Sequence, residues 1–175
     1  MNTLVIYRSK YGSTRQYAEW IAEALGADVK EAHAVTVEEL LTYEGLVYGG
    51  GLYGETINGL GLITKNLERL ADKRIAVFST GLTPPDCHEY YDKMVLERNF
   101  KNGLPTNVRV FHYLGKMKME ELTLVHRTAI KALKKLMSGK ENPTELEQLL
   151  IKLCDADGDF SDRASIDSLV EYMKA

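Results

Sequence analysis

Short apolar runs recur along the chain, and each ends where glycine, hydroxyl-bearing or charged residues begin. A nearly continuous apolar run of about four to eight residues is typical of a strand buried on both faces of a parallel sheet. The runs predict strands at residues 3–7, 28–32, 45–48, 74–79 and 108–113. The second run is the weakest, since Val29 is its clearest apolar residue, and it is therefore predicted to be an edge strand.

Between these runs, apolar residues recur three and four positions apart, which is the spacing of amphipathic helices. The first stripe consists of Tyr17, Ala18, Ile21, Ala22 and Leu25. Gly26 is positioned to end this helix. The pairs Thr36 with Glu39 and Asp86 with Glu89 have the spacing of capping boxes and predict two further helix starts. Another helix is predicted across residues 60–70.

Beyond the fifth strand the pattern is helical, with stripes that predict helices over residues 122–136, 146–153 and 166–173. Strands that alternate with helices predict an α/β fold, a doubly wound five-stranded parallel sheet. Only one helix is needed to close that sheet. Residues 114–158 are therefore predicted to be a helical insertion between strand five and the closing helix of a single domain, residues 1–175.

Composition narrows the functional classes. The chain has 175 residues, of which 45% are hydrophobic, enough for one core. Its formal charge of −3 argues against a nucleic-acid partner. Cys87 and Cys154 lack the spacing of a disulfide framework or a zinc site, which favours the reducing cytoplasm. The first apolar run is too short for a signal peptide, and no stretch has the length of a membrane span.

The first strand leads through a hydroxyl- and glycine-bearing turn directly into the first helix. The turn is Ser9, Lys10, Tyr11, Gly12, Ser13 and Thr14. The first N–H groups of a helix lack backbone partners, and the helix dipole is positive there, so this junction favours an anion, usually phosphate. Gly12 permits close backbone approach, while the hydroxyl groups can donate hydrogen bonds. A Walker loop would need its lysine later, and a phosphatase loop would need a cysteine.

A simpler interpretation of the same turn is that Ser13 or Thr14 only caps the helix. One cap does not require so many hydroxyl groups, so the anion site is favoured.

Two further loops follow strands that are predicted to end at the same edge of the sheet. Strand three leads into a glycine-rich loop, residues 49–56, with candidate ligand positions Gly50, Gly51, Leu52, Tyr53 and Gly54. Strand four leads into a loop with candidate positions Ser79, Thr80, Gly81, Leu82 and Thr83. Ligands of open parallel sheets bind beyond the strands' carboxyl ends, although a flexible connection to the next helix would also explain the glycines.

An acidic stretch at residues 155–162 is superficially similar to a calcium loop. An EF-hand loop needs glycine at its sixth position and a bidentate glutamate at its twelfth, where this chain has Phe160 and Ile166. The stretch is instead predicted to be a turn in which Ser161 or Asp162 caps the closing helix. No metal site is predicted.

The stretch from Tyr7 to Leu25 resembles the phosphate loop and first helix of flavodoxin-like proteins, whose pattern is Ser/Thr-x-x-Gly-x-Thr. The resemblance covers most of the chain and is strongest at residues 3–80 and 159–173. It implies flavin mononucleotide (FMN) as cofactor, held by its phosphate at this loop. It further implies that Tyr53 and its loop flank the flavin ring, and that residues 79–83 offer backbone groups to its pyrimidine edge.

Within that family the chain looks most like the branch that contains the quinone-linked bacterial protoporphyrinogen oxidase. The marks are Val77-Phe78-Ser79 after strand four, a long segment after strand five and a closing helix that begins at Asp162. Three functions follow as expectations: an electron carrier between protein partners, an oxidoreductase that turns over a small molecule such as a porphyrinogen, and a flavin-binding regulatory module. The carrier is favoured because no acid, base or nucleophile stands out by spacing. Glu55 and Asp86 are expected near the flavin, where they would lower its potential.

The segment 116–140 is strongly basic, with seven basic and two acidic residues and a formal charge of +5. A basic amphipathic helix can lie on an anionic membrane or dock on an acidic redox partner. The alternative is that its apolar stripe packs inside the protein, and this alternative is favoured because the acidic segment which follows could neutralise its lysines. The stripe consists of Leu122, Val125, Ala129, Leu133 and Leu136. The oligomeric state is left open by the sequence.

Overall fold

A computed structural model describes residues 1–175. The strands are β1 (Thr3–Arg8), β2 (Asp28–Glu31), β3 (Gly45–Tyr53), β4 (Thr56–Ile57), β5 (Arg74–Gly81), β6 (Val108–Leu114), β7 (Lys116–Met117) and β8 (Gly158–Asp159). The α-helices are α1 (Ser13–Leu25), α2 (Val37–Leu40), α3 (Gly61–Thr64), α4 (Leu96–Asn99), α5 (Leu124–Ser138), α6 (Glu145–Leu153) and α7 (Asp167–Lys174).

Five parallel strands form the main sheet in the order β2-β1-β3-β5-β6, with β2 at one edge. This confirms the predicted doubly wound sheet and the edge position of the second strand. Helices cover both faces because the central strands are apolar on both sides. One core includes Leu4, Ile6 and Tyr48, and the other packs Val5 and Phe78 against α1 and α7.

Strand β3 is longer than the sequence analysis predicts. Residues 49–53, expected to form a loop, continue the strand, because Gly49, Gly50 and Gly51 pair in parallel register with Phe78, Ser79 and Thr80. The turn at Gly54 then returns the chain as β4, antiparallel to the end of β3. The glycine-rich passage is thus mainly a strand that tolerates close neighbours.

Two predicted helices differ in the structure. The helix expected over residues 60–70 is only the single turn α3 (Gly61–Thr64). The capping box expected at Asp86 and Glu89 does not form, and the segment Glu89–Val95 is a π-helix without a side-chain cap. The carbonyl of Cys87 accepts from the N–H groups of both Tyr90 and Tyr91 and so starts this helix through the backbone.

The closing segment follows the prediction. The carboxylate of Asp162 accepts from the N–H of Ala164 and caps a 3₁₀ turn, Arg163–Ile166, that leads into α7. Leu169 and Met173 of α7 are buried against the sheet. At α2, the Thr36 hydroxyl accepts from the N–H of Glu39, which is one half of the predicted capping box, while the Glu39 carboxylate pairs with Lys30.

Between β6 and the closing segment, α5 and α6 form a helical hairpin whose ends meet in the antiparallel pair β7–β8. The hairpin is held at its polar side by the Lys134–Asp155 ion pair, with Nζ 2.6 Å from Oδ2. The expected inward packing of the α5 stripe is wrong for Val125, Leu133 and Leu136, which are 75%, 46% and 70% exposed. No helix of the molecule is both long enough and apolar enough to cross a bilayer.

Candidate functional site

A cavity of about 540 Å³ lies at the carboxyl edge of β1, β3 and β5. The three predicted loops contribute Ser9, Lys10, Tyr11, Ser13, Thr14, Gly51, Leu52, Tyr53, Gly54, Thr80, Gly81, Leu82 and Thr83. The structure therefore brings these predicted residues together around one space. Gly12, Gly50 and Ser79 do not line it.

The phosphate loop has the backbone geometry that an anion site requires. Gly12 precedes α1 at φ +95°, in the left-handed region that favours glycine. The first intrahelical donor is Gln16, whose N–H bonds the Gly12 carbonyl at 3.0 Å. The N–H groups of Ser13 and Thr14 precede it in the helix and have no intrahelical acceptor. They are the groups that a bound anion would satisfy.

The hydroxyl groups of Ser13 and Thr14 do not act as helix caps, since the capping position is Gly12, which has no side chain to accept from the first turn. The Ser9 hydroxyl oxygen accepts from the N–H of Gly12 at 3.1 Å, and that of Ser13 accepts from the N–H of Lys116 at 2.9 Å. A hydroxyl group that accepts in this way still has its own proton to donate. The interpretation of Ser13 or Thr14 as a simple cap is therefore wrong, and the loop keeps free donors.

The loop after β5 is held in place by hydrogen bonds and stacking among largely buried side chains. Ser79 is fully buried, and its hydroxyl lies 2.8 Å from Nδ1 of His112. The His112 ring stacks on Tyr91 with centroids 3.7 Å apart, and the Tyr91 hydroxyl donates to the Thr83 carbonyl at 2.7 Å. Burial lowers the pKa of His112 to about 4, which keeps its imidazole neutral. Ser79 thus supports the loop, while the residues after it reach the cavity.

Gly50 and Gly51 of β3 lie close to other protein atoms, and Gly51 also lines the cavity. A Cβ on Gly50 would lie 2.6 Å from the Asn58 carbonyl oxygen, so the space beside Gly50 is filled by protein backbone. Beside Gly51, a Cβ would meet the Tyr53 ring, with its hydroxyl at 3.3 Å. The ring of Tyr53 therefore lies against the strand itself, and burial raises the pKa of its phenol to about 12.

Tyr90 and the insertion form the remaining wall of the cavity, and neither is predicted from the sequence to belong to the site. The insertion provides most of this wall. Its contribution is largely apolar: Gly115, Lys116, Met117, Leu122, His126, Ala129, Ile130, Leu133, Leu150, Leu153 and Cys154. No local signal marks these residues, because their approach depends on how the hairpin folds back. The sequence reveals only that an amphipathic helix is present.

His126 is the contact between the insertion and two predicted site residues. Its Nδ1 lies 2.7 Å from the Tyr11 hydroxyl, and its ring lies 4.9 Å from that of Tyr53 between centroids. The Tyr11 oxygen also accepts from the N–H of Thr123 at 3.3 Å. Burial and the nearby charge of Lys10 lower the pKa of His126, which favours the neutral ring. The hairpin is thereby fixed over the mouth of the cavity.

The charge around the cavity is positive. Lys10 and Lys116 line it, whereas no aspartate or glutamate does. Glu55 and Asp86 do not themselves line the cavity, although Gly54, next to Glu55, does. Their expected position near the flavin stays a prediction. A reduced, anionic ligand would be stabilised by the two lysines.

The residues present fit FMN. A phosphate is matched by the unpaired N–H groups of α1, the hydroxyl protons of Ser9 and Ser13, and Lys10. Tyr53 and the backbone of residues 80–83 are available for a planar ring. The cavity volume of about 540 Å³ is within the usual range of small-molecule sites, about 300–1,000 Å³.

Comparison with known proteins gives a family match. The model of the Flavodoxin domain family matches residues 4–144. No curated protein matches the chain.

Several solved structures are similar to this chain. Oxidised flavodoxin 2 from Bacillus cereus has 25% identity over 64% of this chain and 84% of its own, with a TM-score of 0.46. A WrbA-like flavodoxin from Agrobacterium tumefaciens has 16% identity over 88% and 95%, with a TM-score of 0.46. Flavodoxin from Fusobacterium nucleatum, solved bound to flavin mononucleotide, has 16% identity over 65% and 71%, with a TM-score of 0.38.

Proposed function

Since this chain belongs to the flavodoxin domain family, we propose that it is a redox protein that binds FMN in the cavity at the carboxyl edge of its sheet. The observation that carries this proposal is the phosphate loop. It combines free helical N–H groups, a left-handed glycine and hydroxyl donors at one end of a ligand-sized cavity.

Each part of the chain has a defined task in this proposal. Ser9, Ser13 and the first turn of α1 hold the phosphate, and Tyr53 with residues 80–83 orients the ring. The insertion excludes water from one side of the cavity through its apolar residues. When bound, FMN supplies the redox chemistry at its isoalloxazine ring, and the protein sets the potential and controls access. Lys10 and Lys116 are the two charged residues that line this cavity, and both are positive, as an anionic ligand requires.

Flavin binding is tested by reconstitution. The purified protein is mixed with excess FMN, desalted and examined by absorbance and flavin fluorescence. We expect retained yellow colour and quenched fluorescence, with weaker retention of riboflavin, because riboflavin lacks the phosphate. Loss of both flavins on desalting, with no quenching, would refute the proposal.

For the reaction, the first proposal is electron carriage between protein partners. It is supported by the cavity wall, which has no carboxylate, while its one imidazole, His126, is engaged by Tyr11. A carrier needs only electron movement and no acid–base pair at a substrate. A reductive titration followed by absorbance should resolve two separate one-electron steps, whereas a single two-electron step would argue against a carrier.

A second candidate is an oxidoreductase of the protoporphyrinogen oxidase type with a quinone as electron acceptor. It is favoured by the apolar wall that Ile130, Leu133 and Leu150 present to the cavity, since such a wall suits a flat apolar molecule. Rapid oxidation of protoporphyrinogen by the FMN-loaded protein with quinone would establish this candidate over the carrier. If the protein neither exchanges electrons with a partner nor turns over a substrate, the third function, a regulatory flavin-binding module, would be the one supported.

We also propose that the protein works in the cytoplasm. Both cysteines are free thiols, and Cys154 is buried beside the cavity, where oxidation would alter the wall. Fractionation of the source cells should recover the chain with cytoplasmic markers, and recovery in a secreted fraction would contradict this location.

A further inference from the structure

We propose that Lys116, the first residue of strand β7, is a phosphate ligand. The helical insertion would then complete the phosphate site. This inference rests on the proposed FMN site and adds a binding residue to it. It also gives the insertion a role that depends on the phosphate and not on the flavin ring.

The backbone at Lys116 is fixed against the phosphate loop. Its N–H donates to the Ser13 hydroxyl oxygen at 2.9 Å. The preceding Gly115 donates its N–H to the Gly81 carbonyl at 2.8 Å, and a Cβ there would lie only 3.0 Å from the Ser13 hydroxyl oxygen. The chain therefore passes between the start of α1 and the end of β5, two of the loops that form the site.

The side chain of Lys116 crosses the face of Gly12. A Cβ on Gly12 would lie 3.8 Å from Cε and 3.9 Å from Nζ of the lysine, which is ordinary van der Waals contact, so the end of this side chain lies close to the Gly12 backbone. The side chain of Lys116 is only 29% exposed, and the residue lines the cavity. Its ammonium group is thus held beside the same loop that presents the free N–H groups of α1.

A bound phosphate can recruit this ammonium group without leaving a charge unpaired. Nζ of Lys116 lies 3.2 Å from the carboxylate of Glu121. The same carboxylate lies 3.9 Å from Nζ of Lys118 and is 41% exposed. A phosphate monoester carries about −1.5 to −2 charges at neutral pH and is a stronger acceptor than one exposed carboxylate. Glu121 keeps Lys118 and water when Lys116 turns to the phosphate.

The consequence concerns the whole insertion. Strand β7 begins at Lys116, and its partner β8 is the other end of the insertion. A phosphate held by Lys116 therefore fixes the base from which α5 and α6 extend. FMN should order the hairpin, and riboflavin should not.

The first test compares Lys116→Gln with Lys118→Gln, a matched control that removes an equal charge from a lysine that pairs with the same glutamate but does not line the cavity. We expect Lys116→Gln to weaken FMN about tenfold, which corresponds to about 1.4 kcal/mol, and to leave riboflavin affinity unchanged. Lys118→Gln should leave riboflavin affinity unchanged and should weaken FMN much less than Lys116→Gln does, because water still solvates the exposed Glu121 carboxylate when Lys116 turns to the phosphate. Lys116→Arg, which keeps the charge, should retain FMN binding and shows that the position tolerates substitution.

The second readout is limited proteolysis with trypsin, which can cut the insertion after the exposed Lys131 and Lys135. FMN should slow cleavage of the wild type and of Lys118→Gln, whereas riboflavin should not, and the protection should be lost in Lys116→Gln. Equal FMN affinity in Lys116→Gln and wild type, or an equal loss for FMN and riboflavin, would overturn the assignment. A wild type that binds neither flavin would instead refute the FMN site itself.

Discussion

The hydroxyl oxygens of Thr14 and Thr80 lie 2.7 Å apart in the buried interior, although 66 residues separate them in the chain. Thr14 is in the first turn of α1, and Thr80 is near the end of β5. One hydroxyl group donates to the other, which leaves one proton for a further acceptor. This bond joins the phosphate loop to the loop after β5 and fixes the distance between two walls of the cavity.

Thr14→Val should lower the free energy of unfolding by about 1–3 kcal/mol, because it leaves the buried Thr80 hydroxyl without its partner. Thr80→Val should cost a similar amount for the same reason. The double variant, in which both hydroxyl groups are replaced by methyl groups of the same shape, should cost less than the sum of the two. Urea denaturation of the apoprotein measures all three. Strict additivity would mean that the two hydroxyl groups are not coupled.

Thr14→Val should also weaken FMN more than riboflavin, since Thr14 lies in the first turn of α1, where the phosphate is proposed to bind. Fluorescence titration with the two flavins measures the difference. An equal loss for both would place the phosphate elsewhere.

Neighbouring glycines of β3 should respond differently to alanine. Gly50→Ala forces a Cβ to within 2.6 Å of the Asn58 carbonyl oxygen, which is backbone and cannot turn aside. We expect it to lower the free energy of unfolding by about 1–3 kcal/mol. Gly51→Ala meets the far end of the Tyr53 side chain at 3.3 Å, which can move, so its cost should be less than about 1 kcal/mol. Thermal or urea unfolding compares the two, and a larger loss for Gly51→Ala would contradict this account.

His112 should make stability depend on pH. Its pKa is about 4 in the folded protein and about 6.5 in an unfolded chain, so between these values only the unfolded state takes up the proton. The contribution to stability is therefore complete above about pH 6.5 and declines as the pH falls toward 4. Between about pH 7.5 and about pH 5 the wild type should lose about 2 kcal/mol through this group.

His112→Gln removes the titrating imidazole. The free energy of unfolding, measured by urea denaturation at several pH values, should then fall less steeply between about pH 7.5 and about pH 5. His88→Gln is the matched control, because the His88 side chain is 80% exposed. An unchanged slope in His112→Gln would show that other groups cause the acid loss.

The basic segment 116–140 is neutralised only in part by ion pairs on the protein surface. Lys116 and Lys118 pair with Glu121, Lys134 pairs with Asp155, and Lys140 pairs with Glu147. Only two of its lysines, Lys131 and Lys135, are exposed without an acidic partner, and they share the exposed side of α5 with Leu124, Val125 and Leu136. This face is small but has the composition of a peripheral membrane contact.

We expect weak co-sedimentation with anionic vesicles at low salt, lost as salt rises, because two lysines provide only a modest attraction. The double variant Lys131→Glu with Lys135→Glu should abolish it. Lys93→Glu with Lys101→Glu makes the same charge change outside the segment and should leave the binding in place. No sedimentation of the wild type with anionic lipid would rule out the membrane contact.

The sequence by itself determined the sheet, its edge strand β2 and the turn at residues 9–14 that joins β1 to α1. These features depend on local patterns: apolar runs for the buried strands, a helical stripe from Tyr17 to Ala22 that is buried in the structure, and a glycine between hydroxyl groups at a strand–helix junction. It also located two further walls of the cavity, since parallel strands end at one edge. Local pattern was insufficient where backbone hydrogen bonding replaced side-chain capping, as at Cys87, and where strand pairing extended β3 into its expected loop.

Only the tertiary structure decided what the insertion does. Its helices are evident from periodicity, but their direction depends on contacts between distant residues, such as Tyr11 with His126 and Lys134 with Asp155. Those contacts turn Leu133 toward the cavity, leave Leu136 70% exposed and bring Lys116 to the phosphate loop. An amphipathic pattern specifies that a helix has an apolar face, but not which surface will cover that face, because that depends on the packing of the whole chain.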